Sequence, residues 1–173
     1  MGYRSQVRSL IYGDPNKLQA LIVRHLLNGD GPLKHFKDDL TRYRTTLRTY
    51  DHEATAAQPQ DANGGRTMLY RYTQIEVLDL SGDSWKWYPD YDDVKAWHAL
   101  LQEAEEDGLA YEFLRIGEEA EDIEEQSHVP DEIDDGDRFL GVNREIVCDV
   151  VKEGELTIEG AVHEPPIEQE EAA

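Results

Sequence analysis

Pro32-Leu-Lys-His-Phe-Lys-Asp-Asp-Leu-Thr-Arg-Tyr-Arg-Thr-Thr-Leu-Arg-Thr-Tyr50 is the stretch whose reading decides the fold. Leu33, Phe36, Leu40, Tyr43, Leu47 and Tyr50 recur every three or four residues, which places them on one helical face. The spacing predicts a helix from about Pro32 to about Arg48. On that helix Arg42, Arg44 and Arg48, with Lys34 and Lys37, make a basic patch best explained as a solvated face.

Upstream, Gln6–Tyr12 reads as a strand that ends at Gly13, and Asp14-Pro15 supplies an N-cap and a first-turn proline for a helix. Leu18, Leu21, Ile22, His25 and Leu26 share its apolar face, and Asn28-Gly29 stops it. Downstream, residues 53–65 have no periodic apolar face and close on a turn signal, which predicts a mobile loop. Thr67–Leu80, rich in Tyr, Ile, Val and Thr, predicts a long strand, and Ser81-Gly82-Asp83 is expected to turn it into a short partner, Trp85–Tyr88. Pro89-Asp90 then opens a helix with Val94, Trp97, Leu101 and Ala104 in one stripe, Asp93 in its first turn and Gly108 after its end. Leu109–Ile116 returns as a strand.

The resulting order, β-α-α-β-β-α-β, predicts an α+β fold: a small, mainly antiparallel sheet with helices packed on one face, followed by an acidic C-terminal region. It has a ferredoxin-like character without matching that arrangement. Arg138–Leu140, Glu145–Val151 and Glu155–Ile158 are candidates for further short strands. We expect a single domain over residues 1–158, with an acidic face over 103–137, and a disordered acidic tail over 159–173 that contains Pro165-Pro166.

Charge is distributed unevenly along the chain. Residues 1–100 carry 13 Lys/Arg and 13 Asp/Glu, whereas residues 101–173 carry 4 against 25, so the whole formal charge of −21 belongs to the second part. Glu103–Asp137 is densest, with 16 acids opposed by Arg115 alone. Concentrated charge raises the energy of any compact state, so a chain that keeps it is expected to use it against a positive partner. A net charge of this sign also argues against direct binding of nucleic acid. The single cysteine, Cys148, excludes an internal disulfide and fits a reducing cytoplasm. No segment approaches the roughly 18 apolar residues of a membrane span, and the N-terminus lacks a leader-like apolar run, so a soluble, cytoplasmic protein is expected.

The residues give little support to an enzyme. His25, His35, His52, His98, His128 and His163 are scattered, without metal-ligand spacing. Asp131-Glu-Ile-Asp-Asp-Gly-Asp137 has the glycine of a calcium loop, but Ile133 and Val142 stand where that loop needs oxygen ligands. Nucleophile-elbow, phosphate-loop and dinucleotide motifs are missing. No cofactor or metal is expected, and a metal-dependent enzyme using the carboxylates remains the rival from another class.

Residues 117–126 are compatible with a helix whose rise of about 1.5 Å per residue sets Glu118, Glu121 or Asp122, and Glu125 in one row, broadened by Glu119 and Glu124. Duplex DNA presents one negative charge per roughly 1.7 Å of axis, a comparable density. Glu118, Glu119, Glu121, Asp122, Glu124 and Glu125, with Asp131, Glu132, Asp134, Asp135 and Asp137, are the candidate partner-binding residues. The pattern resembles phage-encoded acidic DNA-mimic inhibitors, a class acting on restriction enzymes, CRISPR effectors and bacterial DNA gyrase. Met1-Gly-Tyr-Arg-Ser5, Tyr111-Glu-Phe-Leu-Arg-Ile-Gly-Glu118 and Asp122-Ile-Glu-Glu125 also resemble segments of small uncharacterised phage proteins. The first resemblance implies occupation of a host enzyme's DNA site in the host cytoplasm, with gyrase the first candidate target. Competing readings are high-salt adaptation, a solubilising acidic flank, an acidic interaction module without mimicry, and a homodimer in which the acids meet the basic helix of another copy. Trp85, Trp87, Tyr88 and Tyr91 form the densest aromatic cluster, read as a structural anchor whose exposed members would serve an interface.

Overall fold

The computed structural model describes residues 4–27, 31–119, 121–130, 139–142, 146–148, 154–156 and 162–163. Its centre is an antiparallel sheet of five long strands in the order β5-β4-β1-β3-β2, formed by β1 (Ser5–Gly13), β2 (Leu40–Tyr50), β3 (Tyr70–Trp85), β4 (Ala110–Ile116) and β5 (Ile123–His128). Helices α1 (Pro15–Leu27), α2 (Pro32–His35) and α4 (Asp92–Glu106) cover one face. The succession β1-α1-β2-β3-α4-β4, with β1 and β3 central, is ferredoxin-like, and β5 extends it at one edge.

β1 and α1 form where local signals place them. Asp14 Oδ1 accepts from the amides of Asn16 (2.9 Å) and Lys17 (3.1 Å), which satisfies N–H groups that the first helical turn leaves open. Leu18, Leu21 and Ile22 are fully buried, whereas Leu26, expected on the same face, is 43% exposed. α4 buries Val94, Trp97, Leu100, Leu101 and Ala104 and stops in a Schellman turn. There Leu109 N donates to Ala104 O and Gly108 N to Glu105 O, with Gly108 at φ +69°.

The expected helix over 32–48 does not form beyond its first turn. α2 gives way to a 3-10 turn at Lys37–Asp39, and Leu40–Tyr50 is strand β2, paired with β3 through eleven residues from Leu40↔Leu80 to Tyr50↔Tyr70. Four threonines and two tyrosines in that strand favour extended backbone, and a long partner supplies the ladder. The three-to-four spacing of apolar residues was coincidental: in the strand Tyr43 and Leu47 lie on one face, Leu40 and Tyr50 on the other. With β2 in place of the second helix, β-α-α-β becomes β-α-β-β, the first half of the observed succession.

The expected hairpin after Leu80 is also absent. β3 continues through Ser81-Gly82-Asp83 to Trp85 and pairs with β1, Val7 opposite Gly82 and Ser5 opposite Trp85 across a bulge. Gly82 has a steric reason to be there, because a Cβ at this position would overlap the Trp85 indole. Residues 53–65 include part of a short helix, α3 (His52–Ala56), capped by Asp51, whose side chain accepts from Ala54 N at 2.8 Å.

The helix-side core joins Val7, Ile11, Leu78, Leu80, Tyr111 and Phe113 to the helices. Phe36 stacks on Trp85 and Trp87 at 5.4 and 5.7 Å and meets Trp97 edge-on at 5.6 Å. Trp85 and Trp87 are therefore structural, while Tyr91 is 44% exposed. On the opposite face Leu10, Tyr12, Tyr43, Ile75, Val77 and Ala110 form a second cluster, against which Val129, Phe139 and Leu140 pack. Short strands β6 (Leu140–Val142) and β7 (Ile146–Cys148) pair with each other. β8 (Gly154–Leu156) joins β2 rather than turning back from β7, and β9 (Val162–His163), inside the segment expected as tail, pairs with β8.

Candidate functional site

β5 is the acidic edge of the sheet; among the described residues it pairs with β4 alone. The turn that feeds it is tight: Gly117 N donates to Asp122 O at 2.7 Å and Asp122 N to Glu119 O at 3.0 Å. The helix expected over 117–126 is replaced by this turn and strand. Pairing of Phe113, Leu114 and Arg115 with Gln126, Glu125 and Glu124 draws the segment into the ladder. One row of carboxylates on a helical face is thus corrected to a turn presenting Glu118, Glu119 and Glu121, all exposed, and a strand whose Glu124 and Glu125 point to opposite faces.

Arg115 organises the site. Its Nη1 donates to Asp122 Oδ2 at 2.8 Å and its Nε to Glu124 Oε2 at 3.1 Å. These two carboxylates, chiefly Asp122, hold the guanidinium pKa above its ordinary value against the opposing effect of partial burial. Glu118 Oε1 accepts from the backbone amide of Arg4 at 2.9 Å, which ties the turn to the start of β1. Asp131, Glu132, Asp134, Asp135 and Asp137 lie outside the described residues.

Several other acids of the expected face serve internal contacts, while Glu106 is exposed. Glu103 accepts from His25 at 3.0 Å, and Asp107 from Arg24 at 2.6 Å, fastening α4 to α1. Glu105 stands 3.6 Å from His128, so the last turns of α4 flank the far end of β5. Glu112 is 2% exposed, and its carboxylate accepts from Tyr12 Oη (2.9 Å) and from the amides of Phe139 (3.0 Å) and Leu140 (2.8 Å). A buried carboxylate is costly unless its lone pairs are filled, and three donors fill these.

Between α4 and β5 lies a groove of about 340 Å³ bordered by Trp87, His98, Gln102, Glu124 and Gln126. Burial pushes the His98 imidazole pKa down, opposed by Glu124 and a hydrogen bond to Gln126. Among the described residues no three His, Cys, Asp or Glu side chains are arranged to hold a metal ion, and no helix is long and apolar enough to cross a membrane.

Sequence reasoning found the acids and missed the clamp. Arg115 was visible as the one cation within Glu103–Asp137, but only strand pairing sets it beside Asp122 and Glu124. Comparison with protein-family models, curated proteins and solved structures gives no match to this chain.

Proposed function

We propose that the protein is a non-enzymatic DNA mimic that occupies the DNA-binding site of a host enzyme and inhibits it. DNA gyrase is the first target to test; restriction enzymes and CRISPR effectors are the alternatives within the same class. The observation that carries this reading is the exposed turn Glu118, Glu119, Glu121 at an acidic sheet edge whose local cation, Arg115, is already engaged. Glu124 and Glu125 follow at the start of β5, and Glu105 and Glu106 stand at the end of α4. A cationic groove shaped for phosphates would meet this edge with the ion pairs and counterion release that DNA provides.

A supercoiling assay with purified gyrase tests the first target, and restriction cleavage and CRISPR interference assays test the others. Binding is expected to weaken steeply with added salt and to be competed by duplex DNA. Affinity indifferent to both sinks mimicry in favour of an acidic interaction module. Calorimetric titration with calcium, magnesium and manganese addresses the rival reading, because a metal-dependent enzyme requires saturable, stoichiometric binding.

A further inference from the structure

A two-stranded ribbon stands outside the main sheet on the side away from β5. Among the described residues β1 accompanies β3 only as far as Glu76, and β8 accompanies β2 only over Arg42–Arg44. Beyond these points Thr45–Tyr50 and Tyr70–Ile75 run on paired with each other, for about 20 Å. Directly opposed residues of an antiparallel pair share a face, so Arg48 and Tyr72, Tyr50 and Tyr70, and Thr46 and Gln74 occupy one side of the ribbon.

That side is a row of planar groups. The Arg48 guanidinium lies 3.6 Å over the centre of the Tyr70 ring, and Tyr50 meets Tyr70 edge-on at 5.8 Å. His52 adds a further ring 4.3 Å from Tyr50. Tyr72 is 66% exposed, more than any other large hydrophobic side chain described. Neither core cluster includes these rings. Among the described residues of the ribbon face the last carboxylate is Glu76 at the base, where it is bound by Arg42 and Arg44. Asp51, at the tip, is engaged by Arg71 and by Ala54 N.

We propose that this face binds single-stranded nucleic acid, with bases stacked on Tyr72 and Tyr70 and phosphates met by Arg48. Stacking on aromatic rings and on arginine planes is the chemistry by which single strands are held without sequence preference. The net charge of −21 argues against nucleic acid only if it acts everywhere alike. The acids of β5 are separated from β2 by three strands, a distance of about 19 Å, whereas charges are screened over about 8 Å at physiological ionic strength; Glu155 of β8 stands opposite Tyr43, at the base of the ribbon. The ribbon also departs from the helical solvated face expected for Arg42, Arg44 and Arg48, because along one face of the strand the three meet different partners. Arg42 is buried against Glu76, Arg44 is shared with it, and Arg48 is left among the tyrosines.

Fluorescence anisotropy of the full chain with a labelled oligothymidine, and with the matching oligouridine, tests the proposal. Binding is expected for the wild type at low salt. Tyr72→Ala and Arg48→Ala should each weaken it about tenfold, while Tyr72→Phe, which keeps the ring, retains it. Replacing Glu118, Glu119 and Glu121 by Gln should leave the loss caused by Tyr72→Ala unchanged. Circular dichroism establishes that each variant is folded. Absence of binding by the wild type, or binding that a folded Tyr72→Ala variant keeps, overturns the proposal. So does sedimentation showing self-association that Arg48→Ala abolishes without any oligonucleotide binding, which would assign the face to a protein partner. These readouts are independent of any inhibition assay.

Discussion

Arg115 Nη1 donates to Asp122 Oδ2 at 2.8 Å across the turn that joins β4 to β5. With Nε on Glu124, one guanidinium holds two carboxylates of the acidic edge in place, and its side chain is only 14% exposed. Arg115→Ala should lower stability by about 2 kcal/mol, the scale of hydrogen bonds to charged groups, and Arg115→Lys by less. Urea unfolding of the two variants measures this; an unchanged midpoint for Arg115→Ala would show that the clamp is not needed for folding.

The same contact separates structural acids from presented ones. Glu118→Gln, Glu119→Gln and Glu121→Gln together should abolish inhibition and leave the melting temperature unchanged or raised, because repulsion is relieved. Glutamine at 118 can still accept from Arg4 N. Asp122→Asn with Glu124→Gln should instead lower the melting temperature, since both serve Arg115. Inhibition assays paired with thermal unfolding distinguish the two sets, and full inhibition by the triple variant would remove the turn from the interface.

Glu112 fixes a distant part of the chain to the sheet. Glu112→Ala removes the acceptor that the Tyr12 hydroxyl and the amides of Phe139 and Leu140 share, at a cost of about 3 kcal/mol. Hydrogen exchange at Phe139 and Leu140 should accelerate more than exchange within β1. Equal acceleration everywhere would mean that the carboxylate supports the fold globally rather than this segment.

His98 makes stability depend on pH. Its ring lies 4.9 Å from Phe113 and 6.1 Å from Trp87, and burial lowers its folded pKa below the ordinary value. The unfolded chain therefore binds the proton more readily, and stability must fall as pH drops below about 6.5. Above that value both states carry neutral imidazole and His98 contributes no slope. His98→Gln should flatten the difference in urea midpoint between about pH 7.5 and pH 5.5; identical slopes in both proteins would exclude His98 as its source.

Local signals were legible wherever one residue decided the backbone. Asp14-Pro15 opened α1, Gly108 closed α4, and Leu109–Ile116 formed β4 almost to the residue. Leu40–Tyr50 failed because its apolar spacing fits a helix while its threonines fit a strand, and the eleven-residue pairing with β3 settles that conflict. Ser81-Gly82-Asp83 failed for a similar reason. Glycine stands there to admit the Trp85 ring, a requirement visible only after packing.

By itself the sequence determined that this is an α+β chain and that its entire negative excess follows residue 100. Composition and short-range capping fix those properties, since they need no knowledge of what lies opposite. Tertiary structure decided where the acids go. Helix packing engaged Glu103; strand pairing turned the expected helical row into an edge, engaged Glu112, Asp122 and Glu124 in internal bonds, and left Glu118, Glu119 and Glu121 outward. It also gathered Arg48, Tyr70 and Tyr72 on one face of the projecting ribbon, because register between strands brings together residues that periodicity along one strand cannot relate.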